Sequence, residues 1–135
     1  MIIKNKIIPF GDYDCINLFG ILFTKRDLTK KEINHENIHT IQLLELIPIG
    51  ILIIFIFRLL FDFSSWWYCC SILTFYYLYG AEYIIIRLFH LTQEDAYKDV
   101  SFEEEAYNND DDLTYIEHRK HYSNFKYIKI KFNKR

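Results

Sequence analysis

Polar and apolar positions in this chain separate into blocks instead of mixing evenly. Leu46 to Phe61 carries one charge, Arg58, and Trp66 to Leu91 carries two, Glu82 and Arg87, while the segments on either side are strongly polar. Crossing the roughly 30 Å apolar layer of a bilayer takes about 20 such residues in a helix. The second block reaches that length and the first approaches it, so a buried core helix also fits the first. Trp66, Trp67 and Tyr68 open the second block as an interfacial aromatic belt would. Asp62 to Ser65 reads as a tight turn between the two.

The remaining pattern supplies shorter elements. Ile2 to Phe10 and Cys15 to Phe23 are rich in β-branched and aromatic residues and flank the turn signals Pro9 and Gly11-Asp12, which predicts a β-hairpin within residues 1–28. Gly20 lies inside the second of these runs, where it marks a bulge or a close backbone approach. Thr29-Lys30-Lys31-Glu32 fits a capping box and starts a helix over 29–45. Pro48 is expected to kink that helix or to separate it from an apolar helix over 46–63. A second apolar helix spans 66–91. Ser101 and Glu104 form another capping-box pattern, opening a polar helix over 101–122. Residues 123–135 form a basic tail, either a short strand or a frayed end. The expected fold is one mainly α domain: a two-helix membrane hairpin, an HExxH helix, a C-terminal polar helix and a small N-terminal β-hairpin.

Charge refines the picture. The net charge of −2, from 16 basic and 18 acidic residues, argues against nucleic acid as a partner, since phosphate binding needs a basic surface. Lysines and arginines lie before and after the apolar pair but not in its turn. The positive-inside rule then predicts an integral membrane protein with both termini in the cytoplasm and the lipid bilayer as partner. Glu82 lies deep in its block and calls for a partner such as Arg58 or Arg87. Cys15, Cys69 and Cys70 have neither the number nor the spacing of a disulfide framework. Lys4 and Lys6 interrupt the N-terminal apolar run, which therefore lacks the form of a signal peptide. A soluble fold would have to cover two very apolar helices with little polar chain unless it oligomerised.

One segment carries recognisable chemistry. His35-Glu36-Asn37-Ile38-His39 is an HExxH sequence on a predicted helix. Residues four apart share a helix face, so both imidazoles address one point, and Glu36 beside them can reach a water on a Zn2+ held there. A catalytic zinc site has three protein ligands and an open position. Downstream, Glu103, Ala106, Tyr107 and Asp110 share a helical face, and Ala106 is small enough to allow close approach. This makes Glu103 the expected third ligand, with Glu105 the second choice. A solvated acidic first turn is the competing reading of these glutamates. His118 and His121 read as a solvated face.

These motifs resemble the gluzincin class of zinc metallopeptidases, in which a helical glutamate downstream joins an HExxH helix; Glu103-Glu104-Glu105-Ala106 is similar to the E-x-E-A part of membrane-bound members. The resemblance implies metal ligation by His35, His39 and Glu103, and Glu36 as the catalytic base. The combination of Ile16-Asn17-Leu18-Phe19-Gly20, Asn34 to Gln42 and Ser101 to Tyr107 more closely resembles a family of short bacterial membrane proteins, which implies the bacterial inner membrane and no particular substrate. Tyr107 stands where the larger class has an Asp, so Gln42, Tyr107 or Asp110 would have to support the histidines. The resemblance also implies that the strand around Asn17, Phe19, Gly20 and Ile21 aligns a peptide substrate by backbone pairing. The function expected is a membrane-associated zinc metallopeptidase acting on a peptide or membrane-protein substrate. The alternatives are a non-catalytic protein with a structural or vestigial metal site, closed by a residue such as His90 or His118, and a metal-free hairpin serving assembly.

Overall fold

The computed structural model describes residues 1–5, 7–9, 13–89 and 93–128. It is mainly helical, with a small sheet at the N-terminus. Strands β1 (Ile2–Lys4), β2 (Cys15–Leu18) and β3 (Ile21–Thr24) form a sheet of order β1-β3-β2. β2 and β3 are antiparallel, with Leu18 opposite Ile21 and Cys15 opposite Thr24, whereas β1 runs parallel to β3. The expected hairpin between Ile2 to Phe10 and Cys15 to Phe23 is therefore corrected: the second run folds back on itself. Phe19 and Gly20 both adopt positive φ, 55° and 82°, the backbone of a two-residue turn that matches strand twist. Gly20 also meets helix α1 closely, since a Cβ there would lie 3.1 Å from Thr40 Cγ2. Phe10, Gly11 and Asp12 lie outside the described residues.

Helix α1 runs unbroken from Lys30 to Phe61. The capping box is present: Thr29 Oγ1 accepts from Glu32 N–H at 3.2 Å, and Glu32 Oε2 accepts from Thr29 N–H at 2.8 Å. The expected division into 29–45 and 46–63 is one of composition only. Pro48 removes one backbone donor, but the turns on each side keep theirs and the helix continues. The second apolar block also departs from a uniform helix. It opens as a 3-10 helix, Ser65–Leu73, and becomes α-helical as α2, Thr74–Arg87. Ser71 and Thr74 hydroxyls donate to carbonyls three residues back, Tyr68 O at 2.8 Å and Ser71 O at 2.7 Å. A Cβ on Gly50 would lie 3.1 Å from Ser71 Cα and O. The two runs thus touch backbone to backbone where both carry small residues.

α1 and the run Ser65–Arg87 are each long and apolar enough to cross a membrane. Their outer side chains are largely uncovered by protein, among them Leu59, Leu60 and Phe61, which are 71, 67 and 62 % exposed. Packing is concentrated at the other end, where Leu43 and Leu46 meet Phe75, Val100 and Phe102.

The predicted polar helix over 101–122 is instead several pieces. A short helix, α3 (Gln93–Lys98), precedes α4 (Ser101–Asn109); α5 (Tyr115–His118) and a second 3-10 helix (Ser123–Tyr127) follow. Val100, not Ser101, is the N-cap of α4, so the Ser101/Glu104 capping box is corrected. Ser101 N–H and Oγ both donate to the Glu82 carboxylate, at 2.9 and 2.7 Å. Glu82 thereby caps α4 and is not spent on Arg58, whose guanidinium lies 5.7 Å from the centre of the Tyr68 ring. The tail beyond Ile128, together with His90 and Leu91, lies outside the described residues.

Candidate metal centre

Asn34 and Glu82 hold α4 from opposite ends. Glu82 of α2 accepts from the N–H and hydroxyl of Ser101, and Asn34 of α1 donates from Nδ2 to the carbonyls of Asn109, Asp110 and Asp112 at 3.2, 3.1 and 2.9 Å. Both ends of a helix leave backbone groups without intrahelical partners, and here two other helices supply them. Lys31 adds ion pairs to Asp110 and Asp111 at 3.2 and 2.7 Å. Held this way, α4 lies against the first turns of α1, with Ser101, Phe102, Glu103, Glu105 and Ala106 buried. Ala106 is fully buried, as the expectation of a small residue at a close contact requires.

His35, His39 and Glu103 converge. His35 Nε2 lies 3.1 Å from His39 Nε2 and 3.3 Å from Glu103 Oε2, and His39 Nε2 lies 3.3 Å from Glu103 Oε1. Bonds of about 2.0–2.1 Å at tetrahedral angles place donor atoms about 3.3 Å apart. The three side chains therefore stand at the spacing that a common metal ion imposes, and they form a group able to hold one. Glu103 is 3 % exposed, and its Oε2 has no hydrogen-bond partner among the described residues. Leaving a buried carboxylate oxygen unsatisfied is costly, and a cation at this point would relieve it. Burial by itself would raise the Glu103 carboxyl, but His39 and His35 outweigh it and hold the group well below the usual carboxylate range. Tyr79 also donates to Glu103 Oε1 at 2.9 Å.

The supporting residues divide by role. Gln42 is fully buried and its Oε1 lies 2.8 Å from His39 Nδ1. Asp110 Oδ2 lies 3.7 Å from His35 Nδ1, beyond ordinary hydrogen-bond length. Tyr107 packs against His35 ring to edge, with centroids 4.7 Å apart. Glu105 stands apart from the cluster, its carboxylate accepting from Gln42, Tyr115 and Arg119. His118 lies 3.4 Å from Asp112 Oδ2 in an exposed position.

Beside the cluster is a cavity of about 330 Å3, walled by Ile16 and Asn17 of β2, Glu36 and His39 of α1, Tyr76 and Tyr79 of α2, and Tyr97 and Glu103. Burial pushes the Glu36 carboxyl above the ordinary carboxylate range, against the pull of the two histidines. Asn17 Nδ2 bonds Glu36 O at 2.7 Å and Thr40 Oγ1 at 3.0 Å, tying β2 to the HExxH turn. Phe19 and Gly20 form the turn and Ile21 sits on the central strand, so of the residues expected to align a substrate Asn17 alone lies on an edge.

Sequence reasoning passed over Asn34, Tyr79 and Tyr97. Asn34 did carry a signal, because it sits one turn before the buried Ile38 and so lies on an inward helix face. The two tyrosines lay among many aromatic residues with nothing to single them out. No family model, curated protein or solved structure matches the chain.

Proposed function

We propose that this chain is a membrane-embedded zinc hydrolase of the metallopeptidase type, acting on a peptide at the cytoplasmic face. The observation that carries this reading is the spacing of 3.1 to 3.3 Å among His35 Nε2, His39 Nε2 and the Glu103 oxygens, next to a cavity shared with Glu36. Two imidazoles and a carboxylate are a donor set suited to Zn2+. A Zn2+ in this position supplies a Lewis acid that polarises a carbonyl and brings the pKa of a water to about 7. With such a metal bound, Glu36 would take a proton from that water as its oxygen attacked the carbonyl carbon. As the C–N bond broke, Glu36 would return the proton to the departing amine.

Two features favour a peptide substrate. β2 is an edge strand that borders the cavity and pairs with β3. Leu18 and Ile21 close the two-residue turn as a hydrogen-bonded pair, and Lys25 N–H donates to Asp14 O at 3.0 Å. By the alternation of an antiparallel ladder, Cys15 and Asn17 turn their backbone N–H and C=O groups away from β3. An extended peptide can pair with them beside the metal. Membrane residence is supported by two runs of adequate length and apolarity whose outer side chains are largely uncovered by protein. The distribution of lysine and arginine favours cytoplasmic flanks.

The test uses full-length protein in detergent. About one zinc per chain is expected, along with cleavage of a quenched-peptide library. Glu36→Gln should retain the zinc and lower hydrolysis by about 100-fold or more. Folded protein that takes up no zinc would overturn the metal reading. Zinc uptake with no Glu36-dependent hydrolysis would leave the non-catalytic alternative standing instead.

A further inference from the structure

A line of buried polar side chains runs from the metal cluster into the C-terminal segment. His39 Nδ1 meets Gln42 Oε1 at 2.8 Å, and Gln42 Nε2 lies 2.9 Å from Glu105 Oε2 and 3.1 Å from Phe102 O. Glu105 is gripped in turn by Arg119, whose Nε donates to Oε1 at 2.7 Å and whose second terminal nitrogen donates to Oε2 at 3.2 Å. Tyr115 adds a donor to Oε1 at 2.9 Å. The other terminal nitrogen of Arg119 reaches Glu45 Oε1 at 2.8 Å. Gln42 and Glu105 are fully buried and the Arg119 side chain is 2 % exposed.

The direction of each bond in this line is dictated by chemistry. An ionised carboxylate accepts only, and so does a backbone carbonyl. The end of Gln42 that faces Glu105 and Phe102 must therefore be its NH2, which leaves the amide oxygen facing His39. An oxygen there demands a proton on Nδ1, so the free lone pair of a neutral imidazole lies on Nε2, the atom aimed at the cluster. Both Glu105 oxygens accept from Arg119 and so face Gln42 as acceptors.

We infer that Glu105 and Arg119 are positioning residues for the metal centre: the ion pair locks the Gln42 amide in one orientation and so presents His39 Nε2 as the ligand atom. Glu105 thus has a role distinct from ligation, and Arg119, sixteen positions beyond Glu103 in the chain, belongs to the site. The inference rests on the proposed zinc reading for its consequence but not for its geometry.

Zinc affinity of the purified full-length protein is measured by competition with a chromogenic chelator for the wild type, Glu105→Gln, Gln42→Met and the double variant. An amide at position 105 must present an NH2 to either Arg119 or Gln42, which breaks the order of the line. Glu105→Gln and Gln42→Met are each expected to weaken zinc binding 10- to 100-fold, about the range seen when support of a ligating histidine is lost. In the Gln42→Met background, Glu105→Gln should cause no further loss, because its effect passes through Gln42. A full, independent loss in that background, or wild-type affinity in Glu105→Gln, would overturn the inference. Hydrogen exchange of the Gln42 side-chain amide in zinc-free protein provides a second readout. It should be slow in the wild type and faster in Glu105→Gln. If the wild type bound no zinc, the proposed function would fall, and unchanged exchange in Glu105→Gln would separately refute the lock.

Discussion

Glu103 is the residue on which the site turns. Its carboxylate faces both imidazoles at 3.3 Å, accepts from Tyr79, and keeps one buried oxygen without a hydrogen bond among the described residues. Replacing it by Gln keeps the shape but removes the charge that would hold a dication between the two rings. Glu103→Gln is expected to lower zinc affinity by about 100-fold or more, measured by chelator competition. Metal removal should report the same coupling from the other side. Saturating zinc at about 1,000 times its dissociation constant stabilises a folded protein by about 4 kcal/mol. Chelation should therefore lower the thermal midpoint of the wild type, and should have little effect on His39→Ala.

Elements bring these residues together, and polar contacts at their ends are what fix them. α4 is nine residues long, too short to be stable alone, so its position depends on Glu82 at one end and Asn34 at the other. Asn34→Ala removes the donor that three carbonyls share. A loss of about 1–3 kcal/mol in stability is expected, together with weaker zinc binding as Glu103 loses its register; denaturant titration in detergent and chelator competition would check both. Gly50 plays the matching role in the apolar part. A Cβ there would clash with Thr74 Oγ1 and sit 3.1 Å from the Ser71 backbone. The threonine can rotate away but the backbone cannot, so Gly50→Ala should force the two apolar runs apart and lower the thermal midpoint, whereas Gly80→Ala, where a Cβ meets nothing within 4 Å, should not.

At the scale of the molecule, packed polar chemistry occupies one end and uncovered apolar side chains the other. An aqueous protein would leave an unusually large apolar face in water. The chain should therefore pellet with membranes and resist alkaline carbonate extraction; recovery in the soluble fraction as a monomer would refute membrane insertion. The same arrangement explains how distant parts of the chain meet. Because the runs Lys30–Phe61 and Ser65–Arg87 pack against each other, the start of α1 and the segment after α2 share one end of the molecule, and His35, His39 and Glu103 can converge.

Local chemistry alone determined several of these features. Capping by Thr29 and Glu32, the two apolar blocks, the facing histidines and the small Ala106 all follow from spacings of three or four residues, which helical geometry converts directly into shared faces. The helix through Pro48, the cap on α4 and the strand pairing were decided by tertiary contacts. One missing hydrogen bond does not end a long helix, a carboxylate from α2 displaced the local cap at Ser101, and a turn at Phe19 and Gly20 chose β3 as the partner of β2. The choice between Glu103 and Glu105 was likewise beyond local reasoning. Both lie buried on α4, and what separates them is that one faces two imidazoles while the other faces an arginine brought in from a later turn of the chain.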